Sequence, residues 1–187
     1  MSKLSTLLII CAALFFSSNS HAYNSNGNFR VSPAGLLLGA VNLELDIAID
    51  RRLSIGPMYT YWDFEANNDF KALSQAYGVR MDWHQNRFNR EGMLYGVYYK
   101  HWTVDAEYLD DNDDLIKNNV AMNMLGFVGG YRWMWDSFNV TTEVGYRLIQ
   151  LDGFKLKVET GENTKARITD ISVVGALILD VTVGWAF

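Results

Sequence analysis

Residues Thr169 to Phe187 alternate with a period of two over a length that few soluble strands need. Every odd position from Ile171 onward is apolar or glycine: Val173, Gly175, Leu177, Leu179, Val181, Val183, Trp185 and Phe187. The even positions mix small and polar residues, among them Asp170, Ser172, Asp180, Thr182 and Gly184. Successive side chains of a strand point to opposite faces, so one face of this segment is continuously apolar and the other is not. A strand that crosses a bilayer at a steep tilt needs about 9–11 residues of this pattern. The segment predicts such a strand.

Six further segments alternate in the same way: roughly 41–49, 53–63, 71–84, 92–105, 119–135 and 138–151. Their connections fall into two sorts. Asp50-Arg51-Arg52, Asn86 to Glu91 and Asp136-Ser137 are short and polar, whereas 64–70, 106–118 and 152–168 are longer and more charged. Membrane barrels have short periplasmic turns and longer outer loops, which orients the strands. On that orientation the last strand and the strand at 41–49 both run inward. A further strand must therefore precede 41–49, and Phe29 to Leu37 supplies it, with a tight turn near Gly39-Ala40. The predicted fold is all-β: an eight-stranded antiparallel transmembrane β-barrel with short periplasmic turns and longer outer loops. Pro57 falls in the middle of the third strand, where it removes a ladder hydrogen bond; a local bulge could absorb it, but nothing in the sequence marks one.

The N-terminus fits an exported chain. Lys3, the apolar run Leu4 to Phe16 and Ser20-His21-Ala22 read as a signal peptide over 1–22, too short to span a membrane as a helix. Cys11, the only cysteine, lies in the apolar run after Ile10, where lipidation would need a small residue. The mature chain then has no disulfide or thiolate chemistry. Residues 23–28 read as a short flexible leader and 29–187 as the barrel domain. Without Lys3 there are 15 basic and 21 acidic residues, a net charge of −6, which argues against nucleic acid as a partner.

The two faces separate cleanly. Val41, Leu43, Leu45, Ile47 and Ile49 oppose Glu44 and Asp46; Val79, Met81 and Trp83 oppose Arg80 and Asp82; Phe138, Val140, Val144, Tyr146 and Leu148 oppose Glu143 and Arg147. We assign the apolar faces to lipid and the others to the lumen. The inward charges are then Arg30, Arg80, Lys100, Arg132 and Arg147 against Glu44, Asp46, Asp82, Glu143 and Asp180. Eight strands enclose a space just wide enough for side chains, so ionised groups there must pair or be hydrated. Met58, Trp62, Tyr98 and Trp102 add bulk inside. Trp83, Trp133, Trp135 and Trp185 have outward parity at predicted periplasmic ends, and Tyr59, Tyr61 and Tyr99 have it near the outer ends, as the two aromatic girdles of a barrel require.

With these residues in place, the chain resembles the small bacterial outer-membrane barrels of OmpA and OmpX architecture. Leu179, Val181, Val183, Trp185 and the terminal Phe187 look like the C-terminal signal that such proteins present to the outer-membrane assembly machinery. Ser32-Pro33-Ala34-Gly35-Leu36-Leu37-Leu38-Gly39, Asn42-Leu43-Glu44-Leu45 and Arg52-Leu53-Ser54-Ile55-Gly56 are similar to a family of uncharacterised barrels, which typically begins Asn-Pro-Leu-Gly where this chain has Ser32. The resemblance implies a fold and a location in the bacterial outer membrane; the partners expected there are outer-membrane lipid, lipopolysaccharide and the assembly machinery. The sequence does not fix the oligomeric state, for which a monomer is the first expectation. It implies no activity.

No catalytic residue, metal site or cofactor is expected. His84 lies near a predicted periplasmic turn and His101 has lipid-facing parity, with no His-x-Ser pair or His/Cys cluster. Asp105, Glu107, Asp110, Asp111, Asp113 and Asp114 surround Asn112 but lack the glycine and closing glutamate of an EF-hand loop. They read as a solvated acidic loop; a sharper reading has them share divalent ions with lipopolysaccharide phosphates. Phe154, Leu156 and Val158 continue the alternation beyond the expected bilayer edge, as a projecting ribbon would. The expected role is structural or interactive, through loops 106–118 and 152–168. The alternatives are a narrow pore and an enzyme that modifies lipid A.

Overall fold

The computed structural model describes residues 25–37, 39–66, 70–109, 115–152, 157–160, 164–167 and 174–187. The signal peptide read at 1–22 and the residues Asp110, Asp111, Asn112, Asp113, Asp114, Phe154 and Leu156 lie outside them. In chain order the elements are β1 (Gly27–Val31), α1 (Pro33–Leu37), β2 (Ala40–Ala48), β3 (Leu53–Ala66), β4 (Phe70–His84), β5 (Gly92–Leu109), β6 (Leu115–Trp135), β7 (Phe138–Asp152), β8 (Lys157–Thr160), β9 (Thr164–Arg167) and β10 (Val174–Ala186). Eight strands close into one antiparallel barrel in the order β1-β10-β7-β6-β5-β4-β3-β2, while β8 and β9 pair as a separate two-stranded sheet.

The pairing register fixes the shape of the wall. Stepping sideways from Val174, the partners are Ile149, Met124, Lys100, Gly78, Met58, Glu44 and Arg30, and the ring returns to β10 at Gly184, ten residues from its start. Ten residues of about 3.3 Å offset against eight strands about 4.8 Å apart give a strand tilt of about 40°, within the range of closed barrels. The ring closes at the seam between β1 and β10, where Phe187 and Gly27 exchange both backbone bonds at 2.9 and 3.0 Å and the ladder runs as far as Val31↔Val183.

The side-chain alternation maps onto the two sides of this wall. Ile47, Ile55, Tyr59, Tyr77, Val79, Met81, Trp83, Tyr95, Tyr99, Leu125, Phe127, Trp133, Val144, Tyr146, Leu177 and Leu179 are exposed on the outside. Arg30, Glu44, Asp46, Arg80, Asp82, Arg132 and Glu143 are buried within. The sides of an ordinary soluble protein are reversed.

Three expectations need correction. The first strand does not run from Phe29 to Leu37: it starts at Gly27, inside the span read as a leader, and ends at Val31, and Pro33–Leu37 forms α1. The local signals favour that turn of helix. Ser32 stands at the N-cap, its Oγ accepting the Gly35 N–H at 3.4 Å, and Pro33 takes the first helical position, where its missing N–H has no intrahelical partner to lose. Gly39, at φ 77°, then reverses the chain into β2 in the left-handed region that glycine adopts freely.

The second correction concerns Pro57. The β2–β3 ladder holds the pairs Glu44↔Met58 and Ile47↔Ile55 and omits the two between them, with the same offset on both sides. No residue is inserted, so the ladder is interrupted rather than bulged, while Pro57 still pairs with Val79 across the other edge. Third, the segments 64–70 and 106–118 are mostly strand. β3 and β4 run to Ala66 and from Phe70, and β5 and β6 run to Leu109 and from Leu115. Asp105 and Glu107, read as loop carboxylates, oppose Asn119 and Lys117 across the β5–β6 ladder. These extensions alternate charged pairs, such as Glu65 opposite Lys71 and Glu107 opposite Lys117, with apolar ones, such as Phe64 opposite Ala72 and Val104 opposite Val120. Within 152–168, where the alternation suggests a ribbon, β8 and β9 pair antiparallel with Val158 opposite Ala166.

Candidate functional site

Seven of the ten inward charges meet in one buried cluster. β1 brings Arg30, β2 brings Glu44 and Asp46, β4 brings Arg80 and Asp82, and β6 and β7 bring Arg132 and Glu143, each at an inward position of its strand. Arg30, which is 0 % exposed, is the hub. Its Nη2 lies 2.8 Å from Glu44 Oε2 and 3.3 Å from Asp82 Oδ2, its Nε lies 3.0 Å from Asp46 Oδ2, and its Nη1 lies 3.0 Å from Glu143 Oε1. Arg80 grips Glu143 as a fork, Nη1 at 2.8 Å and Nη2 at 2.6 Å, and its Nε donates to Asp82 at 2.8 Å. Arg132 Nη2 reaches Asp46 at 3.1 Å. The planar guanidinium supplies five donors in a fixed geometry, so three of them can serve four carboxylates bonded to more than one neighbour.

The cluster is closed below and above. Toward the turns 49–52, 85–91 and 136–137 the chain tucks Phe88 under the barrel, where its ring meets His84 edge-on at 5.3 Å and lies 5.9 Å from the Arg132 guanidinium. Arg132 also donates to the Phe88 carbonyl at 3.4 Å and to Thr141 Oγ1 at 3.3 Å. His84 is not a free rim residue: it is buried, with Nε2 3.1 Å from Ser54 Oγ. Asn139 donates to Asn28, which donates to Asp46, at 2.7 and 3.2 Å. On the other side Met58, Tyr98 and Val128 form an apolar layer against which Ile178 packs. Inward glycines make the room for all this. A Cβ at Gly96 would overlap Asp82, one at Gly126 would overlap the Tyr98 ring, and one at Gly184 would crowd Arg30.

Lys100, Arg147 and Asp180, predicted in the same network, lie beyond the apolar layer and form no ion pair among the described residues. Lys100 donates to Thr60 Oγ1 at 3.4 Å and lies 5.6 Å from the Tyr98 ring. Asp180 accepts from Ser32 Oγ at 3.0 Å and from the Val181 N–H at 2.8 Å. Arg147 has a buried Nε without a partner. The cluster of seven therefore carries one net negative charge, and the three outlying groups restore neutrality. Residues missed by the sequence reading include Asn28, Ser54, Thr141 and Asn139, although their inward parity was a usable signal.

The remaining candidates sit on the outside. Leu179, Val181, Val183, Trp185 and Phe187 line the outer face of β10. Trp83, Trp133 and Trp135 are exposed around the end that holds the short turns, where Trp83 meets Tyr95 and Trp133 meets Tyr131. His101 faces outward, its ring 5.3 Å from that of Tyr77 and its Nδ1 2.9 Å from Asn123 Oδ1. Among the described residues no three His, Cys, Asp or Glu side chains could hold a metal ion. At the short-turn end a cleft of about 520 Å³ is lined by Arg51, Arg52, Asn86, Arg87 and Arg90.

A closed, eight-stranded antiparallel barrel, apolar outside and ion-filled within, is the class that the fold and the site define. The sequence matches no protein-family model and no curated protein.

Proposed function

We propose that this chain is a non-enzymatic outer-membrane barrel, sealed by its ion cluster, that acts through the strands and hairpin projecting beyond the bilayer. The reversal of sides supports this most. Exposed leucine, valine and aromatic side chains around the whole wall form an apolar surface far larger than a soluble monomer tolerates. In lipid the same surface is favourable, and closure pairs every strand of the barrel with a neighbour on both sides over at least part of its length. The dimensions agree. Leu177 and Phe187 are separated by about 34 Å of strand, and a tilt of about 40° reduces this to about 26 Å, close to the apolar height of such barrels. The exposed tryptophans at the short-turn end match one interface. β5 and β6, at 18 and 21 residues, exceed the roughly 9–11 residues that a bilayer requires, so they stand proud of it at the other end. Exposed hairpins offer backbone edges and alternating side chains to a partner.

Two measurements test this reading. Reconstituted protein should show tryptophan fluorescence quenched by brominated lipid chains, and planar bilayers containing it should stay electrically silent. Fluorescence indifferent to bromination, with protein that stays dispersed without detergent, refutes membrane insertion. Discrete conductance steps that change with Arg132→Gln refute the sealed lumen and favour a pore.

A further inference from the structure

We infer that the barrel wall has a lateral notch between β10 and β2, through which the lumen receives the anionic head group of a membrane phospholipid while its acyl chains stay outside. This inference rests on the membrane reading above. Its starting point is the short first strand. Odd residues of β10 direct their backbone groups toward β1, as Phe187 does to Gly27, and even residues direct theirs toward β7, as Ala186 does to Ser137. The β1–β10 ladder ends at Val31↔Val183, whereas β10 continues nine residues further, to Val174, paired with β7 alone. The Val181 N–H is capped by the Asp180 carboxylate. Leu179 and Leu177 have no partner on that edge among the described residues.

α1 fills the space only in part. Five helical residues rise about 7.5 Å, against about 17 Å for the five strand residues they replace. α1 packs against β2, where Gly35 lies close to Asn42 and the Ala40 carbonyl, and it also touches β10, where Ser32 just before it donates to Asp180, so the gap is narrowed but not filled. On the other side the outer face of β10 is bare: Leu177 and Leu179 are 81 % and 84 % exposed, whereas Val181, next to the ladder's end, is 37 % exposed. Exposed backbone donors cannot face hydrocarbon without a polar partner.

The charges behind the notch select that partner. β5 stands opposite β1 in the eight-membered ring, so Lys100 faces the opening, and Arg147 flanks it from β7, opposite Ala176. Each sideways pairing step lowers the position by about 3 Å along the axis and each residue along a strand by about 2.5 Å. Three steps lead from Val174 to Lys100, which therefore lies level with Ile178; Arg147 lies level with Leu177. Two cations without carboxylate partners thus stand at the height of the free edge. Lys100, Arg147, Ala176, Ile178 and Asp180 are all partly exposed although they point inward, so the lumen is open at this level. A phosphate group supplies an anionic acceptor for the free backbone N–H groups, for the unpartnered Arg147 Nε and for Lys100, whose bond to the neutral Thr60 hydroxyl leaves its charge unpaired.

The test measures lipid retention by the delipidated barrel in neutral detergent, using native mass spectrometry with phosphatidylglycerol, phosphatidylcholine, oleate and inorganic phosphate as separate probes. Phosphatidylglycerol should be retained about tenfold more strongly than phosphatidylcholine, and Lys100→Met with Arg147→Gln should abolish that preference while Lys100→Arg keeps it. Equal retention of the two phospholipids by the unaltered protein overturns the inference without touching the membrane reading. So does stronger retention of oleate or inorganic phosphate than of phosphatidylglycerol. Protein that retains no lipid and needs no detergent overturns both.

Discussion

Arg30→Met should destabilise the barrel by about 3–5 kcal/mol, the usual consequence of removing one partner from a buried ionic network. Among the described residues, Arg30 is the only cation that touches Glu44, Asp46, Asp82 and Glu143 at once. Without it, Arg80 and Arg132 face four carboxylates in a space that water does not reach, and like charges within a few ångströms repel strongly there. The urea midpoint for unfolding from lipid vesicles, followed by tryptophan fluorescence, should fall sharply. A second change, Glu143→Gln, removes one of the stranded negative charges and should restore about half of the loss, since residues in one network are strongly coupled. An unchanged midpoint for Arg30→Met would show that the cluster contributes nothing to folding.

Gly56→Ala should be nearly as damaging for a steric reason. A Cβ at this position would overlap the carbonyl oxygen of Leu45 on the neighbouring strand, a backbone atom that cannot rotate away. Gly56 sits beside Pro57, in the stretch where the β2–β3 ladder is already interrupted, so further separation leaves more backbone groups unpaired. A cost at the upper end of the roughly 1–3 kcal/mol typical of overpacking is expected. Gly129→Ala is the control. Its Cβ would meet the Tyr95 ring at 3.6 Å, an ordinary contact, so the unfolding midpoint should hold or rise slightly. Equal midpoints for the two variants would remove the argument.

Much of this architecture was legible because a barrel strand writes its two faces in alternate letters. The parity of Arg80 and Asp82 against Val79, Met81 and Trp83 assigns each side chain to a face without any tertiary information. Two properties escaped it. Parity does not register height, so Lys100, Arg147 and Asp180 looked like members of the cluster that Arg30 gathers; only the ten-residue stagger separates them. Beyond the apolar band the two faces of β5 exchange character, with Val104 and Ala106 at the inward parity and Asp105 and Glu107 at the outward one, and the run of carboxylates read as loop although both belong to β5. The helical turn was visible in principle: Ser32-Pro33 is a good helix start, but the need for an eighth strand outweighed it.

The bonds between Gly27 and Phe187 have a bearing on how this molecule is made. The two residues that complete the ring are about 160 positions apart, and bringing them together costs about 4–5 kcal/mol of chain entropy. No vectorial, strand-by-strand folding can finish the cylinder before residue 187 has been delivered. Until then the unfinished sheet has two raw margins, and a chaperone that shields them during transit would guard the step most open to aggregation.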